Sequence, residues 1–557
     1  AIADPLKQLW LFQRLYPFMA PYACKDGRLI LPMATFNRRL AVGYCNHLGF
    51  MDALKAAGIV DKDPYDSANM PYDQQNLALP MGFAFPSSSK CAELFEEVFK
   101  QKAASDWETE LEAAGLPCAV IQSFADWMKD KDARLARIVA EVEGLPHPQL
   151  GRTAWLTSAG DYPKLKKMQQ NQAVAFGGKT APVSVMPAKK RPLEGYVVAD
   201  FANVIAGPAC GRMFGELGAT VYKLGPGLPQ HGPMVMMVWQ AELHQGKKSI
   251  ILDAHKEGGK EVIRKIVAKA DVVLINKMDD QLSHLGLDRA SLDQINKKAI
   301  LMQLKAHQGE KYSPHANWSG YDPALQGKTG LMSRFGTSQC PNFHGVASCV
   351  DYLTGYMATW AALAGLYARQ QKDEQGDWAG TSLAVCASLT QLTLQFNEPP
   401  ACATGPYATG MTEHNRVFKV KAGKYIYGQA DPKCDVKRLE ALLADMDVHD
   451  AVSHFKTQFS ALAVPVQTCK EMAALCSDGR SKSAYFKKKD AGQGWVVETW
   501  EPTWFCFDGE PFSCLSPPTL AGSDAPQILA EFGYSQKEIA DLKLSRAVVP
   551  TNWHKWD

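Results

Sequence analysis

Between Pro192 and Leu252 the chain alternates short apolar runs with glycine-rich breaks in the order strand, turn, helix, strand. Gly195 to Asp200 (GYVVAD) is β-branched and predicts a buried strand. The next segment sets Ala206, Gly207, Ala209, Gly211, Gly215 and Gly218 along a small-faced helix that lets backbones approach closely. Together they predict a βαβ unit. The longest apolar stretch, Leu353 to Ala368, is broken by Thr and Gly and falls short of the roughly 20 residues a bilayer span needs. It reads as a buried helix, and no membrane span is expected. Residues 172–190 are rich in Ala, Gly, Lys and Pro without periodicity, the pattern of an exposed connector.

Composition narrows the class. With 557 residues, 46% of them apolar and 21% charged, the chain is ordinary globular protein of several domains. A net charge of +2 gives no electrostatic ground for a nucleic-acid or membrane-surface partner. The 14 cysteines include no Cys-x-x-Cys pair, so neither a metal nor a disulfide scaffold is expected, and a reducing compartment fits. The chain starts at Ala1 without a signal peptide; the expected location is intracellular, the mitochondrial matrix ahead of the cytosol. Neither a Gly-x-Gly-x-x-Gly nor a Gly-Lys-Ser/Thr phosphate loop accompanies the βαβ unit, which leaves NAD and P-loop readings without support.

Several separated motifs resemble family III CoA-transferases, the group of formyl-CoA and carnitine CoA-transferases and α-methylacyl-CoA racemases. Leu193 to Gly195, Ala206 to Pro208 and Leu217 to Lys223 resemble that family's strand start, AGP turn and second strand. Gly246 to Ser249 with Leu252-Asp253, Asp271 to Ile275, and Gly320-Tyr321-Asp322 through Gln326 and Gly330 follow in family order. Pro526 to Leu542 resembles its closing helix. The resemblance implies an α/β fold, with a Rossmann-like large domain built on a parallel sheet plus a smaller α/β domain.

An additional half-copy precedes the whole one. Lys25 to Met33 (KDGRLILPM), Cys45 to Phe50 and Gly115 to Val120 (GLPCAV) resemble pieces of the family's small domain, and weaker echoes return at Lys421 to Tyr427 and Ala463 to Val466. The expected domains are therefore 1–171 (a small-domain-like half-copy), 172–190 (linker), 191–400 (large domain), 401–510 (small domain) and 511–557 (a segment returning to the large domain). In the family two chains interlock. A homodimer is expected here too, other protein subunits are conceivable partners, and the half-copy would fill a surface that otherwise belongs to a second chain.

The resemblance places the family's covalent nucleophile at Asp351, before Thr354-Gly355 and a long apolar helix. An aspartate there, ionised at neutral pH, attacks a thioester without a general base, and the helix N-terminus would hold it ionised and add backbone donors for an oxyanion. Taken alone, an Asp at this place reads as an N-cap. Tyr321 stands where the racemases carry His, which favours transfer over racemisation. Lys223, Lys247, Lys248, Asn276, Lys277 and Lys305 are the expected contacts of coenzyme A, here a substrate. The family's Asn-Phe-Arg-Pro-Gly turn has become Asn276 to Asp280, with Asp279 and Asp280 opposing an anion. The leading expectation is transfer of CoA from an acyl-CoA to a carboxylic acid through an aspartyl intermediate. A catalytically silent subunit of a larger assembly and an acyl-CoA racemase are the alternatives.

Overall fold

The computed structural model describes residues 5–34, 37–62, 75–77, 83–141, 144–145, 148–156, 191–227, 239, 241–336, 339–342, 349–371, 376–393, 414–459, 463–466 and 515–549, and the backbone alone of four short strands between 486 and 511. The expected linker at 172–190 lies outside these residues.

The chain begins with a three-stranded antiparallel module. A hairpin joins β1 (Tyr22–Ala23) to β2 (Leu29–Pro32) through a tight turn in which Gly27 takes φ 77°, a conformation other residues adopt only at a cost. The helices Arg38–His47, Met51–Ala56, Phe85–Phe99 and Ala104–Ala113 follow before β3 (Cys118–Val120) returns antiparallel to β2. Their apolar faces enclose an aromatic cluster in which Phe95 stacks on Phe99 and on Tyr22 at 5.6 and 5.3 Å between ring centres.

A short pair, β4 (Val139–Ala140) and β5 (Gln149–Leu150), then leads to β6 (Trp155–Leu156), which joins the edge of the central sheet. That sheet is built from β7 (Val197–Asp200), β8 (Thr220–Pro226), β9 (Lys247–Leu252), β10 (Val272–Ile275), β11 (Ile300–Lys305) and β12 (Trp378–Ser382). Its spatial order is β6-β12-β11-β10-β7-β8-β9, with every pair parallel except β6 against β12. β10 and β11 are buried at every position, as strands covered on both faces must be. Counted from β7, the order is that of a doubly wound dinucleotide fold with an antiparallel edge strand added. The order reverses between β7 and β10, where such sheets open a crevice beyond their strand ends.

After the large domain, β13 (Asn415–Lys419), β14 (Tyr425–Gln429) and β15 (Ala463–Val466) form a second three-stranded antiparallel sheet in that order, with the helices Val436–Ala444 and Val448–Phe459 between its last two strands. The C-terminal segment packs on the large domain. Asp524 accepts from the Ser249 backbone, Glu531 accepts from Tyr222 and Lys248, and Val549 donates to the Ile251 carbonyl.

One expectation needs correcting. The helix Cys349–Gln371, which contains Leu353 to Ala368, is not buried all round: Trp360 and Tyr367 are 66% and 67% exposed. Its inward face is made of small residues. An added Cβ on Gly355 would lie 2.4 Å from the Ala206 carbonyl, so glycine there is what lets the helices Ala206–Glu216 and Cys349–Gln371 cross closely.

Candidate active site

A cleft of about 1590 Å³ opens at the reversal point of the sheet. Loops after β7, β8, β9, β10 and β11 line it, together with the start of the helix Cys349–Gln371 and, from the N-terminal module, Asn37, Arg38, Arg39, Val42 and Asp61.

Asp351 lies in the first turn of its helix and lines the cleft. The helix is capped by another residue. Buried Asp322 accepts the backbone N–H groups of Val350 and Asp351 at 2.8 and 3.0 Å and also accepts from Gln326. The cap role that the sequence allowed for Asp351 is thus filled, and among the described residues no donor reaches the Asp351 carboxylate. Two expectations are corrected by the same geometry. Two of the helix N–H groups, those of Val350 and Asp351, are engaged by Asp322 rather than offered to an oxyanion. Burial first, and the Asp322 charge second, push the Asp351 carboxyl well above the usual range instead of holding it ionised.

Tyr321 precedes Asp322 and caps the short helix Asp322–Lys328 with its backbone. Its ring packs against the core of the N-terminal module. Burial raises the phenol; the nearby Asn37 amide and the Arg39 charge pull it back, and Asp351 pushes it up. It lies where the module meets the nucleophile.

The expected coenzyme A contacts divide sharply. Lys247 is inside the fold, its ammonium 2.7 Å from Asp200 and 2.8 Å from the Pro208 carbonyl. Lys223 is fully buried and donates to Asn203 at 3.1 Å. Lys305 is held by Asp279 and by Asn317, and Lys248 is bound to Glu531 at 2.6 Å on the C-terminal segment. All four lysines are thus held by partners within the fold, Lys305 at the cleft and Lys248 on a partly exposed face. Asn276 exchanges two hydrogen bonds with the Asn203 backbone, tying the loops after β7 and β10 together across the crevice. Lys277 differs. It lines the cleft, has no acidic partner among the described residues, and burial lowers its ammonium below the usual range. Arg546, at φ 57°, is a second cleft cation without a partner among the described residues. The repulsion expected of Asp279 is relieved: burial works against its carboxylate, but donors from Lys305, Tyr312 and Gln303 outweigh that and hold its pKa down. Among the described residues no group of three His, Cys, Asp or Glu could hold a metal ion.

Residues 193–492, more than half of the chain, match the sequence profile of CoA-transferase family III. The chain belongs to that family. It is accordingly an enzyme of the CoA-transferase class, with CoA thioesters as substrates. The CoA-transferase/lyase DddD of Marinomonas sp. (strain MWYL1) is 24% identical over 593 residues, an alignment spanning 98% of this chain and 70% of that protein. The succinate–glutarate CoA-transferase of Agrobacterium fabrum is 31% identical over 195 residues, 32% of this chain and 48% of that one. Formyl-CoA:oxalate CoA-transferase of Escherichia coli O157:H7 is 25% identical over 429 residues, covering 64% of this chain and 99% of its own. Among solved structures, a CAIB/BAIF family protein from Brucella suis matches 62% of this chain and 100% of its own at 21% identity and a TM-score of 0.48. No helix among the described residues is long and apolar enough to cross a membrane.

The residues that sequence reasoning missed are those whose neighbours come from far away. Asp322 stood in a fold motif with no signal that it would cap a helix 28 residues later. Asn37 and Arg39 lie in the half-copy, where an Asn before Arg-Arg-Leu-Ala is a readable helix start but carries no sign of the cleft it faces.

Proposed function

We propose that this enzyme moves CoA from an acyl-CoA to a carboxylic acid through covalent intermediates on Asp351. The observation that carries the reading is a carboxylate in the first turn of a helix already capped by Asp322, lining the cleft at the sheet's reversal point and without a donor among the described residues. Half-buried and without a donor among the described residues, this carboxylate has no structural task there to explain it.

In the ionised state Asp351 attacks the thioester carbonyl. The C–S bond breaks, the CoA thiolate leaves with the electron pair, and a mixed anhydride forms. The thiolate then attacks the aspartyl carbonyl carbon and expels the donor acid as a carboxylate, which leaves an aspartyl–CoA thioester. The acceptor carboxylate attacks that thioester, displacing thiolate into a second anhydride. Attack of the thiolate on the acceptor's carbonyl gives the new acyl-CoA and regenerates Asp351. No proton enters or leaves the balance, so no general base is required. The Tyr321 hydroxyl, in the same cleft as Asp351 and at the module boundary, is the donor we assign to a developing oxyanion. Lys277 and Arg546 are the cleft cations best suited to CoA phosphates.

The N-terminal module fills one wall of the cleft from within the same chain, so a homodimer is not needed to close it. A silent subunit, the reading the frayed phosphate motifs invited, has little ground once Asp351 faces an open cleft. Incubation with acetyl-CoA, propionyl-CoA or succinyl-CoA in the presence of hydroxylamine should mark Asp351 as its hydroxamate in peptide mass spectra. Asp351→Asn should lose transfer by at least about 10³-fold. Turnover by Asp351→Asn at the parental rate would end the reading.

A further inference from the structure

The large domain's own cations do not solve one problem of the reaction. An acceptor carboxylate must come up to the neutral aspartyl–CoA thioester at a site that still holds the buried Asp322 carboxylate, and like charges repel strongly in a partly desolvated cleft. The incoming thioester carbonyl is neutral and meets no such barrier. A counter-charge beside Asp351 is needed for the acid alone.

We propose that Arg39, from the N-terminal module, anchors the carboxylate of the acid that exchanges with CoA and thereby sets which acids the enzyme accepts. This rests on the transfer reading above. Arg38 and Arg39 open the helix Arg38–His47, whose Asn37 cap holds its own Leu40 N–H and lines the cleft with Tyr321. The two arginines differ in what they hold. Arg38 is spent on Asp61, with bonds of 2.6 and 3.0 Å. Arg39 is exposed on the cleft wall and has no ion pair or hydrogen-bond partner for its guanidinium among the described residues. Arg39, Tyr321 and Asp351 line the same cleft, and the charges of the arginine and the nucleophile both act on the Tyr321 hydroxyl. Lys277 and Arg546 also line the cleft, but they follow β10 and the last helix, and neither acts on Tyr321. Of these three cleft cations, Arg39 is thus the one whose charge reaches Tyr321, the side chain that also feels Asp351. Its planar fork matches a carboxylate with two parallel bonds, which a lysine cannot reproduce.

The test compares the parent, Arg39→Ala and Arg39→Lys with an acyl-CoA donor and a panel of two- to six-carbon mono- and dicarboxylates, following new acyl-CoA by mass spectrometry. The same acids and free CoA are titrated calorimetrically into each protein. The expected result is a rise of roughly 10- to 100-fold in KM and Kd for the acid in Arg39→Ala, partly restored in Arg39→Lys, with the CoA Kd and the melting temperature unchanged. Acid binding that is equal in parent and Arg39→Ala overturns the assignment, as does a parent that binds none of the acids. Arg39-dependent acid binding without transfer would sustain the anchor and refute the transfer reading, so the two fail separately.

Discussion

The two three-stranded modules at either side of the large domain share a plan and differ in surroundings. In each, a hairpin turns through five residues with glycine in fourth place: Cys24 to Arg28 with Gly27 at φ 77°, and Val420 to Lys424 with Gly423 at φ 69°. In each, the first residue of the turn donates its N–H to the carbonyl of the last at 2.9 Å. Helices follow, the first capped by Asn37 in one case and Asp435 in the other, and the third strand returns antiparallel to the second. The caps meet opposite fates. Asn37 is buried and lines the cleft beside the large domain's Tyr321, whereas the Asp435 cap is solvent-facing. The N-terminal module is locked to the large domain through Glu108–Lys328 and through Gln122 to Gly327. The later module draws its core from its own residues between Phe418 and Ala463 and leaves Tyr425, Val464 and Val466 exposed. Topology therefore follows from the hairpin and its turn, and function from what the first helix is turned toward.

Breaking the lock is the largest test of that difference. Glu108 is 2.6 Å from Lys328, both nearly inaccessible, and it also accepts the Val120 N–H. Glu108→Ala strands a buried ammonium and should cost about 3–5 kcal/mol in denaturant unfolding. Glu440→Ala removes the exposed partner of Arg416 in the other module and should cost less than about 1 kcal/mol. Equal costs would mean that the docking does not depend on this pair.

The next test concerns charge. Asp351 must be ionised to attack, and its pKa is raised by burial and then by Asp322, so transfer should fail as pH falls through that raised value. Asp322→Asn keeps an acceptor for the helix N–H groups but removes the second cause. The acid limb of the rate profile should move to lower pH, without reaching that of a solvated carboxylate because burial remains. A limb that stays in place would remove Asp322 from the account. Stability has its own sign. A carboxyl whose folded pKa is raised stabilises the fold below its unfolded pKa and loses that contribution as pH rises toward the folded value. Asp351→Asn should therefore melt no lower than the parent at neutral pH, and a clear loss of stability would show that the carboxylate had a structural partner after all.

Much of the fold could be read from the chain because its signals are local. The β-branched run of β7, the small face of Ala206 to Gly218 and the glycine turns each act on their own neighbours, and they surface as β7, a close helix crossing and two matched hairpins. The site was readable at Asp351 and not in its surroundings. Lysines beside a turn look alike in sequence, yet Lys247 is consumed by Asp200 47 positions away and Lys305 by Asp279, while Lys277 lines the cleft without an acidic partner among the described residues. Pairing across the sheet decides which charge is free, and that is a property of register rather than of local pattern.

The smallest effect sharpens the comparison most directly. Gly27 and Gly423 stand at corresponding places, both at positive φ and both with nothing within 4 Å of an added Cβ, so alanine would be strained by backbone conformation alone. Gly27→Ala and Gly423→Ala should each destabilise their own module by about 1 kcal/mol, and by nearly the same amount. Their effects on transfer should part company: the first loosens the module that carries Asn37 and Arg39 and should raise KM for the acid, while the second leaves the described walls of the cleft untouched. Hydrogen exchange on the two hairpins reads the stability half, and steady-state kinetics the other. A Gly423→Ala variant that raised KM for the acid as much as Gly27→Ala would mean that the later module also reaches the cleft, and the division of labour drawn from their surroundings would have to be abandoned.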